Sequence, residues 1–365
     1  MQSIVRHSVR EKYVDGTLYM PGHETPVWWA HYPNKARHLP ATGMLDRCTK
    51  TQTCPEILET NGAEEFWDLI QSPDLIGMTA DADIPLPKNV HRYYFPRVTH
   101  GGGGGFTYVA NPPPATGCTL PANPNPISDT NDALQDDFIA LIINGTPMPP
   151  DMYPRLHPDH DLVPPTQAAT GFPNIPGFPF PGVYNPLLKY DFGPLFDYVD
   201  QKGIVTIQPP IIDEVLPTYV VRVNSDGNEP DEPIGVGSVL HHAPLGTYNG
   251  WNVVATPTPG APFPGQICVN TGSYFPFQET AAQRTAANDP RPSLEERYGT
   301  HEGYICAVTT AANNAVSQRF LRASAASSLI AQTKASNVLT DITPTAADQK
   351  LAASLCSVGA AGALH

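Results

Sequence analysis

Proline occupies 42 of the 365 positions, and no other feature of this sequence limits the fold so strongly. Each proline fixes φ at about −65° and removes a backbone donor, so much of the chain is expected to run as loops and extended segments. Those loops need an ordered scaffold. With 41% hydrophobic and only 15% charged residues, the chain lacks the low-hydropathy, high-charge balance that leaves polypeptides disordered. Its length allows one large domain or two smaller ones with a real buried core. The net charge of −14 comes with no dense basic run, which argues against a nucleic-acid partner, since phosphates need clustered Lys and Arg. No apolar run reaches about 18 residues, so no membrane span is expected.

The six cysteines, Cys48, Cys54, Cys118, Cys268, Cys306 and Cys356, fit three disulfides. Cys48 and Cys54 flank a five-residue loop where a local bridge fits. No Cys/His cluster has zinc-ligand spacing, so neither a metal nor another cofactor is expected. The first residues, MQSIVRHSVREKYVDG, contain no apolar signal-peptide core. Disulfides without an export signal are reconciled if the chain is part of a longer exported precursor; its location is otherwise open.

Residues 1–47 read as irregular. Pro55 to Thr60 is a short apolar run leading into Asn61-Gly62, which reads as a buried strand ending in a turn. Glu64 to Gln71 suits a short helix. Val90 to Phe95 is aromatic and β-prone, a second strand, and runs on into Thr99-His100 and five glycines. A helix follows from Ser128 or Asp129 as cap to Gly145, with Leu134, Phe138, Leu141 and Ile142 on one face. Strand, helix, strand, loop, helix over 55–145 suits the last third of an α/β sheet. Residues 146–265 are proline-rich and mostly aperiodic, apart from a strand at Thr218–Val223 and a turn at 225–228. A capping box at Ser293–Glu296 opens a short helix. Helices are then expected at about 301–320, 323–337 and 345–357.

His100 stands out because it follows a strand end within a glycine-rich loop, and Glu64 and Glu65 follow the strand before it. A carboxylate there can accept from the Nδ1–H of the imidazole, which fixes its tautomer and stabilises imidazolium. A solvent-facing loop histidine with surface glutamates is the plainer reading of the same spacing. Other candidates are weaker. His157, His160 and Asp161 read as a solvated turn, and Asn224, Asp226 and Asn228 as a β-turn lacking the calcium-loop pattern. The run Gly101–Gly105 lacks the Lys-Ser/Thr of a phosphate loop. His241-His242 reads as structural. The aromatic-proline stretch Gly171–Tyr184 suits a loop covering apolar surface or lining an acyl pocket.

Longer motifs add to this. Cys54–Trp67, Ala82–Pro96, Thr99–Gly103, Gly117–Pro126, Leu245–Asn252, Thr271–Phe277 and Asp289–Gly299 resemble the α/β-hydrolase-domain family of large bacterial hydrolases. Together they cover roughly residues 45–337. The resemblance implies that His100 is the triad histidine and Glu65 the acid, with Glu64 left as the neighbouring alternative. It implies an α/β fold class: the carboxy-terminal part of an α/β-hydrolase sheet with helices in residues 1–145, and a long proline-rich irregular region with C-terminal helices, packed on that core, in 146–365.

The sequence departs from that family at the nucleophile, for no G-x-S-x-G elbow is present. Gly237-Ser238, Gly272-Ser273 and Ser327-Ser328 all lack the strand-to-helix context; Ser273 is the remaining candidate for an unusual geometry. Two functions follow. One is a partial serine-type ester hydrolase that supplies histidine and acid, works with a nucleophile-bearing N-terminal half and takes a small ester. The other is a non-catalytic truncated homologue that acts as a binding or self-assembling protein.

Overall fold

The computed structural model describes residues 3–6, 28–36, 38–68, 71–105, 108–109, 111–158, 160–182, 190–191, 214–257, 265–268 and 270–362. First in the chain is β1 (Ser3–Arg6), followed by a small hairpin of β2 (Tyr32–Asn34) and β3 (Leu39–Thr42). These strands fall in the stretch expected to be irregular; all three are too short to show a period. Helix α1 (Asp46–Thr51) then leads to β4 (Glu56–Gly62), α2 (Ala63–Trp67), α3 (Ser72–Ile76) and β5 (Val90–Phe95).

Strands β1, β4 and β5 form one parallel sheet in that order. Ser3 pairs with Glu56, Ile57 with Val90 and Gly62 with Phe95. Asn61-Gly62, expected as a turn, is the last pair of strand residues, because parallel pairing with Tyr94-Phe95 outweighs the local turn preference. The helix expected over 64–71 divides instead. α2 ends at Trp67, and a new helix starts with Pro73 in its first turn, where a missing N–H goes unmissed. The outer edge of β5 is closed by Met152, which exchanges backbone bonds with Arg92 and Tyr94. Among the described residues no strand pairs with the other edge of β1.

Both faces of the sheet are covered, as parallel sheets require. Leu58, Tyr93 and Phe95 pack on one face against Leu134 and Phe138 of α4 (Ser128–Asn144) and against Phe320. Tyr94, with Phe66 and Trp67, packs on the other against Leu162, Val220, Val221 and Trp251. Between the strands lies a buried charge cluster. Arg92 Nε is 2.7 Å from Glu59 and its guanidinium 2.9 Å from Asp74, while the Trp29 indole donates to Glu59. All three ionised groups are buried, so their mutual pairing offsets the loss of hydration.

The remainder is assembled from short pieces: β6 (Leu162–Val163), α5 (Gln167–Thr170), β7 (Tyr190–Asp191), β8 (Glu214–Val215) and β9 (Val220–Val221). β6 pairs with β9, so only two residues of the strand expected at 218–223 are paired. The aromatic-proline stretch covers apolar surface as a loop: Phe178 and Phe180 meet Trp251 edge-on, while Phe172 is tilted against it and stacks on Phe178. Its last residues, 183 and 184, lie outside the described ones. Further on come α6 (Val239–His242), β10 (Gly246–Asn249), β11 (Ser273–Pro276), α7 (Ala281–Ala286) and α8 (Leu294–Tyr298). The Ser293/Glu296 capping box opens α8 as read from sequence. Helices α9 (His301–Ser317), α10 (Ala323–Lys334) and α11 (Ala346–Gly362) finish the described chain. Tyr304, Val308 and Ala312 of α9 bury against Leu240, Tyr248 and Tyr274.

Three disulfides join Cys48 to Cys54, Cys118 to Cys268 and Cys306 to Cys356. The first closes the loop where a local bridge fits; the third ties α9 to α11.

Candidate active site

The C-terminal ends of β4 and β5 lie side by side, so the residues that follow them meet. Strand β4 passes directly into α2 through Gly62, and Glu65 stands in the first turn of that helix. Its Oε2 accepts from the Gly62 N–H at 2.8 Å, and its Oε1 lies 2.8 Å from His100 Nδ1. Only glycine suits position 62, because a Cβ there would lie 2.5 Å from Val98 Cγ2 and 2.9 Å from Glu65 Oε2. The carboxylate is buried at 3% exposure and held at both oxygens, so it presents one fixed edge to the imidazole.

Glu64 does different work. Its Oε2 accepts from the His100 backbone N–H at 2.6 Å and from the Thr99 hydroxyl at 2.7 Å, while Thr99 Oγ1 in turn accepts from Gly272 N–H. Of the two adjacent glutamates, Glu65 reaches the ring and Glu64 pins the loop that carries it. Burial pushes the Glu64 carboxyl up to about 8, against the pull of those two hydrogen bonds.

The strand end is bracketed from behind. Arg97 is buried with a positive φ of 61°. Its N–H donates to Glu229 Oε2, its Nε to the Glu229 carbonyl and its Nη1 to the His241 carbonyl. Asn123 and Asn125 donate to the Arg97 carbonyl from the other side. Composition and spacing gave no role to Arg97, Thr99, Asn123 or Asn125. The available signal was the Asn-Pro-Asn-Pro run, where proline fixes the backbone that aims both amides.

In front of His100 is a cavity of about 450 Å³, lined by Thr60, Gly62, Glu65, Thr99, His100, Ser128, Asn131 and Gln135 among others. The His100 side chain is 29% exposed. None of the serines weighed from sequence lines this cavity. Ser273 is buried in β11 and accepts from Asn249 Nδ2; Ser238 caps α6 and donates to Asn125. Ser327 bonds to its own helix and Ser328 accepts from Gln332. Ser128 does line the cavity. Either it or Asp129 was expected to cap α4, yet Ile127 is the N-cap and Ser128 is the first helical residue, with its side chain exposed.

The weaker candidates are engaged elsewhere. Asp161 accepts from Arg155 N–H and pairs with Arg222, and His157 and His160 stack edge to face. The segment 224–228 is a turn closed by Asn224 and Asn228 through backbone bonds. Gly103 and Gly105 donate to the carbonyls of Asn125 and Pro124, so the glycine run lies against backbone.

Adjacent parallel strands that deliver first a carboxylate and then a histidine to one cavity define a hydrolase-like α/β fold. The chain belongs to the alpha/beta hydrolase domain family, whose model matches residues 4–331. No curated protein and no solved structure matches it. No described helix is long and apolar enough to cross a membrane.

Proposed function

We propose that this chain carries the acid–base part of a serine-type ester hydrolase, with His100 as general base and Glu65 as its orienting acid. The observation that carries the reading is the 2.8 Å contact of His100 Nδ1 with Glu65 at the mouth of an open cavity. Glu65 accepts from Nδ1–H, which fixes the tautomer in which Nε2 takes up the proton and stabilises the imidazolium that forms. A hydroxyl oxygen attacks the ester carbonyl carbon while its proton passes to Nε2. Collapse then breaks the acyl C–O bond, and His100 returns the proton to the departing alcohol. Water repeats the sequence on the acyl-enzyme. No cofactor is needed for these steps.

In this reading residues 1–145 are the carboxy-terminal portion of the hydrolase core and 146–365 are packed on it. The hydroxyl comes from a strand–helix elbow outside the described residues, approaching along the β1 side of the sheet. The unpaired edge of β1 among the described residues supports that direction of approach. The substrate is a small ester.

The test is to co-express the chain with the polypeptide encoded immediately upstream, assay a short aryl ester and map fluorophosphonate labelling. The reading expects turnover that disappears in His100→Ala and a label on the upstream polypeptide. Turnover that survives His100→Ala sinks it. A label on Ser128 would mean that the chain brings its own hydroxyl. A second reading, a non-catalytic self-associating protein, is favoured by Ile139 and Ile143 of α4, which are 54% and 72% exposed. It expects concentration-dependent oligomers in light scattering and no hydrolysis in any combination.

A further inference from the structure

Behind the β5 end, on the other side of Arg97 from the glutamates of α2, a second group of imidazoles and carboxylates closes on itself. Asp231 Oδ2 lies 3.5 Å from His242 Nδ1, and Glu232 Oε1 lies 3.3 Å from His242 Nε2. His241 Nε2 abuts Asp231 Oδ1. One ligand atom each from Asp231, Glu232 and His242 fall within 4.8 Å of one another. A tetrahedral ion with bonds of about 2.1 Å needs its ligands about 3.4 Å apart, so small side-chain movements close the set. Asp231 is 46% exposed and also pairs with Arg97 Nη2 at 3.5 Å, so it must give up part of that pairing to reach the ion.

We infer that Asp231, Glu232 and His242 bind a first-row divalent transition ion of the Zn²⁺ type.

Three observations support it. His241 is fully buried, its Nδ1 has no hydrogen-bond partner among the described residues, and its Nε2 is turned onto the Asp231 carboxylate. Position 237 is a glycine against both rings: a Cβ there would lie 2.8 Å from His242 Nε2 and 2.8 Å from His241 Cδ2. A cavity of about 390 Å³, lined by Glu232 and His242 together with Thr310 and Asn314 of α9, gives the ion access. Two carboxylates match the ion's charge, and mixed imidazole–carboxylate ligation favours zinc over calcium or magnesium, which take oxygen sets. The other such group, Glu302 with Cys306 and Cys356, has both sulfurs committed to a disulfide. The role is structural. His241 also offers its carbonyl to Arg97, so the ion would brace the segment behind the β5 end. The inference stands whether or not His100 is catalytic.

The test uses the untagged full chain, stripped with a chelator and titrated with Zn²⁺ by calorimetry, with bound metal counted by mass spectrometry. One equivalent is expected at micromolar or tighter dissociation constant, with a rise in Tm. Asp231→Asn/Glu232→Gln is expected to weaken binding more than tenfold and abolish the Tm rise. His242→Gln is the second variant should the first fail to fold, with folding read by circular dichroism. Three results overturn the inference: no stoichiometric Zn²⁺, undiminished binding in these variants, or preferred uptake of Ca²⁺ or Mg²⁺.

Discussion

Two regions of this molecule set histidine against carboxylate, and they do it in opposite ways. At the ends of β4 and β5 one imidazole meets one carboxylate, and the next glutamate holds the histidine backbone, so a ring edge is left facing a cavity. At 231–242 two imidazoles share two carboxylates. There burial lowers His241 to about 4, whereas Asp231 and Glu232 overcome burial and hold His242 up at about 9. The contact alone therefore defines nothing. A general base needs a fixed ring at a site that substrate can reach, while a cluster whose imidazoles are closed in by two carboxylates is suited to hold rather than to transfer.

The largest effect expected from this contrast is catalytic. On the proposed acid–base role, His100→Ala in the co-expression assay should lower kcat/KM by about 10³-fold or more. His31, which meets Asp46 at 3.0 Å on the surface, provides the control. Steady-state kinetics on an aryl ester should find His31→Gln within about twofold of wild type, and an equal loss would break the comparison. Next in size is the support beneath the corner. Arg92→Leu leaves Glu59 and Asp74 buried without their shared cation and should cost about 3–5 kcal/mol in urea unfolding. Smaller is Gly62→Ala, whose Cβ would press on Val98 and on the Glu65 carboxylate. A loss of about 1–3 kcal/mol is expected, along with a kcat deficit because Glu65 must shift. A kcat unchanged in that variant would separate Glu65 placement from activity.

The last effect is a slope. Glu64 binds its proton more tightly folded than unfolded, so folding stability should fall as pH climbs from about 4.5 towards 8, by at most about 1.4 kcal/mol per unit. Buried Glu229, pushed up to about 7, adds to the same trend. Unfolding of Glu64→Gln across that range should show a shallower decline; an identical slope would remove Glu64 as the source.

What the sequence revealed was local. Val90–Phe95 is legible because four of its six residues are β-branched or aromatic, and α4 because its apolar face repeats at helical spacing. Glu65 and His100 were singled out because each follows a strand end. What escaped depends on partners far along the chain. Arg92 sits within an apolar run and is explained only by Glu59 and Asp74. Asn61-Gly62 looks like a turn until β5 pairs with it. Ser128 resembles a cap, yet Ile127 takes that place. The Asp231–His242 group is spread over twelve positions and meets only through tertiary packing.

The bond between Cys118 and Cys268 spans 150 residues, which has a temporal consequence. At ribosomal rates of about 5–20 residues per second, the second sulfur emerges about 8–30 s after the first. Through that interval Cys118 must wait as a thiol while Cys48 and Cys54, already synthesised, can pair with each other. Proximity in sequence thus protects the nascent chain from its nearest wrong crosslink.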